Sequence, residues 1–198
     1  MVSKSLQKIS IAIATYNGAK YLPEQLDSLL AQSRLPDELI IVDDKSSDNT
    51  LNIIKDFQDR APFKVIIEQN EKNLGYTQNF NKALEKTRGD LVFMCDQDDV
   101  WLPDKLATVE QYSIEHSNAL VIMNDAVITD SNLIKSASTK LGQFESAGIS
   151  VSNFVMGCCA MVRRDLLDVC LPIPNGFQGH DSWIVKMAEG VGRKHILP

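Results

Sequence analysis

The sequence predicts an α/β fold, a mixed and mostly parallel sheet flanked by helices. Three observations carry that prediction. Short, continuously apolar runs recur through the first half of the chain. Segments with helical hydrophobic spacing separate them. The two kinds alternate strand, helix, strand, helix through four rounds. Continuous rather than alternating hydrophobicity marks strands covered on both faces, as a parallel sheet requires.

The elements follow in order. Ile9 to Ala14 is the first strand, and Thr15-Tyr16-Asn17-Gly18 ends it as a turn. Tyr21 to Gln32 is a helix: Leu22, Leu26, Leu29 and Leu30 share one face, and Pro23 suits the first turn. Leu39 to Val42 is the second strand, ending at Asp43-Asp44. Ser46, Ser47 and Asp48 then cap a helix carrying Ile53, Ile54 and Phe57 on one side. Lys64 to Glu68 is the third strand. After the loop Asn73-Leu74-Gly75, the face Tyr76, Phe80, Ala83, Leu84 makes a third helix, closed at Arg88-Gly89-Asp90 by a glycine past a basic turn. Leu91 to Cys95 is the fourth strand, ending at Asp96-Gln97-Asp98-Asp99, and a helix opens at Pro103 with Leu102, Leu106 and Val109 on its face. Leu120 to Met123 is a fifth strand. The stretch to about Ser152 is polar without a clear period. Val155 to Val162 reads as a strand running into Arg163-Arg164-Asp165, and Asp181 to Glu189 as a helix. The end, His195 to Pro198, has the look of a further strand beginning, so the expectation is one domain over 1–198, truncated at its C-terminus.

Composition narrows the partners. The 198 residues are 44% hydrophobic and 23% charged, which suits one globular domain. A chain this long buries about 70% of its unfolded surface. The net charge of -6, without a basic stripe, argues against nucleic acid as a partner and against tight docking on anionic lipid. Cys95, Cys158, Cys159 and Cys170 form no C-x-x-C pair and read as buried small hydrophobes in a reducing compartment. Met1 to Lys8 is polar and lacks a signal-peptide core, and no run reaches the roughly 20 apolar residues of a membrane span. A cytoplasmic protein is expected.

The chemistry collects at strand ends. Ligands of open α/β sheets bind outside the carboxyl ends of the strands. The first strand delivers Thr15, Tyr16 and Asn17, the second Asp43 and Asp44, the fourth Asp96, Asp98 and Asp99. Five carboxylates on one edge repel, and a divalent cation or a donor-rich ligand would relieve them. Oxygen ligands favour magnesium or manganese over zinc. Asp96 and Asp98, two residues apart at a strand end, can reach one ion and a phosphate. The competing reading is that these aspartates cap turns and helices. No G-x-G-x-x-G and no Walker A sequence is present, so a diphosphate here would need metal rather than a glycine cradle. Asp181, after Gly176 and Gly179, reads either as a helix N-cap or as a general base. Trp183 beside it offers a flat face to a sugar, or a core contact.

SIAIATYNG, IIVDDKSSDNT, NLGYTQNFNKAL, FMCDQDDVWLPDKL and GHDSW occur in an order and spacing that resemble family 2 glycosyltransferases, from Ile9 to about Trp183. CDQDDVW and HDSW look most like the bacterial rhamnosyltransferase-like branch. The resemblance implies the GT-A fold and an inverting transfer from a nucleoside-diphosphate sugar, UDP- or dTDP-linked, to a saccharide or lipid-linked saccharide. It implies Mn2+ or Mg2+ as cofactor and a role in surface-polysaccharide assembly. Peripheral attachment at the inner membrane face stays open. By that likeness Thr15, Tyr16 and Asp44 border the base and ribose, with Asn17 in the same turn and Asp43 supporting the corner. Asn73 and Gly75 lie in the loop over the nucleotide. Asp96 faces the ribose or the metal, and Asp98 ligates the metal. Asp99 and Trp101 shape the donor-sugar pocket, and Asp181 is the base. A nucleotidyltransferase and a non-catalytic nucleotide-sugar-binding module remain the alternatives.

Overall fold

The computed structural model describes residues 7–197. Its first half runs β1 (Ile9–Thr15), α1 (Leu22–Leu30), β2 (Glu38–Asp43), α2 (Thr50–Arg60), β3 (Lys64–Gln69), α3 (Tyr76–Lys86), β4 (Leu91–Cys95) and α4 (Lys105–Glu115). The second half continues with β5 (Val121–Met123), the strands β6 (Val127–Thr129) and β7 (Lys135–Thr139), α5 (Lys140–Ser146), β8 (Ala160–Arg163), α6 (Arg164–Cys170), α7 (His180–Gly190) and β9 (Lys194–Ile196). Seven strands form one sheet in the order β3-β2-β1-β4-β8-β5-β9, and β6 pairs with β7 apart from it. Strands β1 to β4 are parallel, β8 runs antiparallel to β4 and β5, and β9 is parallel to β5. This is the mixed, largely parallel sheet that the sequence predicts.

Alternate side chains of the buried strands feed two cores, one on each face. Ile9, Ile11, Ile13, Leu39, Ile41 and Phe93 join Leu22, Leu26, Phe57 and Leu106 from α1, α2 and α4. Ala12, Ile40, Val42, Val92 and Met94 join Phe80, Leu84, Leu167, Ile184 and Val185 from α3, α6 and α7. The parallel strands and their helices thereby hold the carboxyl ends of β1, β2 and β4 in fixed register. Truncating one such residue, Phe93→Ala for example, costs about 3–5 kcal/mol.

Several sequence expectations change. Gly89 lies beyond the third helix, which ends at Lys86 with Thr87 as its cap. Gly89 instead passes against β1: a Cβ there would stand 2.7 Å from the Ser10 backbone nitrogen. Val155 to Val162 is not one strand. A 3-10 turn, Gly157–Cys159, precedes β8, and the run is apolar because Cys158, Cys159 and the strand are all buried. The hairpin β6–β7 and α5 fill the stretch that shows no period, since α5 buries none of its residues fully. Helix α6 follows β8 directly and also goes unread in the sequence. The anticipated last strand is present as β9. All four cysteines are free and buried. No helix among the described residues is long and apolar enough to cross a membrane. Met1 to Leu6 and Pro198, part of the leader and end expectations, lie outside the described residues.

Candidate functional site

In-register pairing sets Thr15 opposite Asp43, and Asp43 opposite Gln69, at the carboxyl edge of the sheet. Beside this edge opens a cleft of about 480 Å³. Thr15, Tyr16, Asp44, Asn73, Gly75, Asp96 and Asp98 all line it. Seven expected site residues thus meet in one hollow.

Asp43 and Asp44 divide the work at the end of β2. Asp43 is fully buried. Its carboxylate accepts from the Ser46 backbone N–H (2.9 Å), the Gln69 amide (3.1 Å), the Thr15 hydroxyl (3.0 Å) and the Ser46 hydroxyl. Four donors use its lone pairs, so it braces the corner and does not line the cleft. Asp44 Oδ1 accepts from the Leu74 N–H and the Asn70 amide, each at 2.8 Å, and Oδ2 accepts from the Gly75 N–H at 2.8 Å. One lone-pair position stays free for an occupant. The same carboxylate fastens the loop Asn73-Leu74-Gly75, where Gly75 holds a φ of +81° that side-chain-bearing residues rarely adopt. Asn73 adds a bond to the Asp44 carbonyl (3.3 Å).

The turn after β1 is locked from two sides. Gln97 accepts from the Tyr16 N–H (3.0 Å) and donates to the Tyr16 carbonyl (3.2 Å). Gly18 makes room for it: a Cβ there would stand 2.4 Å from Gln97 Oε1. Asn17 donates its N–H to the Ser46 hydroxyl (2.8 Å) and accepts from the Ser47 N–H (2.9 Å), tying this turn to the one after β2. Asn49, rather than the expected Ser46, Ser47 or Asp48, is the N-cap of α2, while Asp48 accepts from the Thr50 N–H (3.0 Å) beside it. Tyr16 keeps its ring half exposed over the cleft.

The acidic end of β4 is electrostatically strained. Burial, then the charges of Asp99 and Asp98, push the Asp96 carboxyl up to about 6, and Asp181 adds to it. Asp99 Oδ2 is buried and finds no hydrogen-bond partner among the described residues. One ligand atom each from Asp96, Asp99 and Cys158 falls within 4.8 Å of the others. The two carboxylates, with the orphaned oxygen of Asp99 among their atoms, are hard oxygen donors of the kind magnesium or manganese takes, whereas the Cys158 thiol is a soft neighbour that does not suit those ions. Asp98 stands outside that group but is exposed at the cleft wall. Beneath lies Lys105, whose Nζ donates to the Cys158 carbonyl (2.6 Å) and rests 3.8 Å from the Trp101 ring centroid. Burial pushes Lys105 below its ordinary range. Trp101 is buried against Phe93 and supports this floor from below rather than lining the cleft.

Asp181 is the second residue of α7. Gly179, in the left-handed region at φ +96°, is the cap, so Asp181 does not serve as the N-cap. Its Oδ1 accepts from the Ser182 N–H at 2.7 Å. Trp183 donates to the Cys170 carbonyl (2.9 Å) and packs on Phe177. Sequence reasoning assigned no site role to Gln97, Tyr76, Asn79, Phe80 and His180, and read Tyr76 and Phe80 only as a helix face, yet all line the cleft. Asn79 bridges the carbonyls of Val42 (2.9 Å) and Thr15 (3.3 Å). Its place beside apolar Phe80 on a buried helix face was the available signal.

The chain matches the family described as "Glycosyl transferase family 2" over residues 10–171. It is 36% identical to an uncharacterised glycosyltransferase of Nostoc sp. over 137 residues, which is 67% of this chain and 41% of the relative. It is 33% identical over 126 residues to the dTDP-rhamnosyl transferase RfbG of Shigella flexneri, covering 62% of this chain and 41% of that one. Against the S. aureus TarS 1-349 crystal structure in complex with UDP, the TM-score is 0.77 at 24% identity, covering 96% of this chain and 57% of that one. That likeness establishes a shared fold. The chain spans about two fifths of the length of these two curated relatives.

Proposed function

Because the chain belongs to glycosyl transferase family 2, we propose that it moves a sugar from a nucleoside-diphosphate donor to an acceptor hydroxyl, with inversion and with Mn2+ or Mg2+. One observation carries the reading: β1, β2 and β4 bring Thr15, Tyr16, Asp44, Asp96 and Asp98 to a single cleft. The base and ribose lie against Tyr16 and the free lone pair of Asp44, under the loop that Asp44 fastens. Asp96 and Asp99, with Asp98 at the wall, would hold the cation; when bound, it would offset the charge of the departing diphosphate. Asp181, whose charge reaches Asp96, accepts the acceptor's proton. A single displacement needs no enzyme nucleophile, unlike retaining hydrolysis.

The finer assignments belong to the same proposal. The donor is UDP- or dTDP-linked and the acceptor is a saccharide or lipid-linked saccharide. RfbG supports a deoxyhexosyl donor and the rhamnosyltransferase-like branch. The work is surface-polysaccharide synthesis, carried out in the cytoplasm or at the inner membrane face, by one catalytic domain. The test is sugar transfer from candidate donors. Asp98→Ala is expected to abolish turnover and keep the wild-type melting temperature. Full turnover in that variant contradicts the proposal, and donor binding without any product by the wild type favours a binding module instead.

A further inference from the structure

His180 opens α7 and is 6% exposed. Its imidazole lies flat on Phe80, with centroids 3.8 Å apart and planes at 14°, and Tyr76 meets it edge-on at 6.2 Å. On another side Gly157 comes so near that a Cβ there would stand 3.0 Å from Nε2. The ring is therefore held in a slot of two aromatic rings and a glycine, and it lines the same cleft as Asp44, Asp96 and Asp98.

Among the described residues, neither ring nitrogen has a hydrogen-bond partner. Buried polar groups are nearly always paired, and an unpaired one destabilises the fold. A residue needed only to stack on Phe80 would do so better without nitrogens. Burial also pushes the imidazole down to about 4, against the pull of Asp181, so the ring is neutral near pH 7. A neutral imidazole offers one N–H donor and one lone-pair acceptor. That pair suits a hydroxyl, which donates and accepts, and suits a phosphate poorly, since phosphate favours cationic or purely donating partners.

We propose that His180 is a specificity-determining residue that hydrogen-bonds a sugar hydroxyl in the cleft, beside Asp181. The inference rests on the family 2 transferase reading, and the hydroxyl belongs to the donor ribose, the transferred sugar or the acceptor. The occupant supplies the partner that the imidazole lacks in the free protein.

The test compares wild type with His180→Leu, His180→Phe and His180→Gln. It reads the ligand-free melting temperature, the Kd of UDP and dTDP, the Kd of the full donor, and the KM of the acceptor. The apolar variants are expected to melt at or above the wild-type temperature, because they remove unpaired nitrogens. They are expected to weaken one sugar-bearing ligand about tenfold or more, and His180→Gln, with an amide donor and acceptor, to recover much of the loss. Weakened nucleoside diphosphate points to the ribose, weakened full donor alone to the transferred sugar, and a raised acceptor KM alone to the acceptor. Unchanged constants in folded apolar variants overturn the inference. So does failure of both apolar variants to fold, since the nitrogens would then serve the fold. If the wild type binds no nucleoside diphosphate and transfers no sugar, the family reading itself has failed.

Discussion

Asp44→Asn separates the two tasks of one carboxylate. In the wild type Oδ1 serves the Leu74 N–H and the Asn70 amide, while Oδ2 serves the Gly75 N–H. An asparagine has a single carbonyl oxygen. If that oxygen keeps Leu74 and Asn70, its NH2 faces the Gly75 N–H, donor against donor. The variant loses one charge-assisted bond and weakens two others, at a site that is 2% exposed. The expected cost is about 2–4 kcal/mol, from roughly 1.5–3 kcal/mol per hydrogen bond to a charged group. Urea unfolding measures it, with an unchanged slope showing that the same surface is exposed. Hydrogen exchange locates it: the Leu74 and Gly75 amides should lose protection while β1 keeps its own. Nucleoside diphosphate affinity should fall with the loop. A variant within about 0.5 kcal/mol of wild type, with both amides still protected, would refute the idea that Asp44 holds this loop.

Three further predictions test other parts of the site. Asp96 is raised from 3.8 to about 6, so the folded state holds its proton more tightly than the unfolded chain. In metal-free protein that contribution is present at low pH and is lost as pH rises between about 4 and 6, worth about 3 kcal/mol in order of magnitude. The stabilisation added by Mn2+ should accordingly be full at pH 7.5 and shrink as pH falls below about 6, read by thermal melts with and without the ion; a shift independent of pH would remove Asp96 from the cation's ligands. Gly18→Ala places a methyl group on Gln97 Oε1 and should displace that flexible amide from Tyr16. Calorimetry should show weaker nucleotide binding, with less than about 1 kcal/mol lost from the fold. Asp181→Asn should keep donor affinity and lower kcat by at least about a hundredfold, as expected for loss of a general base; rapid turnover by that variant would assign the base elsewhere.

The first half of the fold was legible because β1, β2 and β4 are buried on both faces and the helices on one, so hydrophobic spacing reports the architecture directly. Ile9, Ile11 and Ile13 supply one core and Ala12 the other, and no competing pattern fits. Beyond β5 that relation weakens. Helix α5 buries no residue fully, and the hairpin β6–β7 is largely exposed, so neither writes a period into the sequence. The run from Val155 to Val162 is apolar through burial in a 3-10 turn as much as in a strand. The site divides in the same way. Strand-end residues Thr15, Asp44, Asp96 and Asp98 could be placed from chain position alone, because parallel strands share an edge. His180 and Asn79 could not, because their place depends on how α3 and α7 pack across that edge. Asn17 and Asp43 illustrate the limit for polar residues: chemistry-bearing types at the right position, spent on bracing the turns.

Everything functional here depends on one cleft receiving a nucleoside diphosphate together with a divalent cation. Isothermal titration of UDP and of dTDP into the wild-type protein and Asp96→Ala, each with and without Mn2+, addresses this directly. Saturable one-site binding that strengthens with Mn2+ in the wild type, and loses that strengthening in Asp96→Ala, is the expected result. Binding of neither nucleotide under any condition, or an equal response to Mn2+ in both proteins, would contradict it.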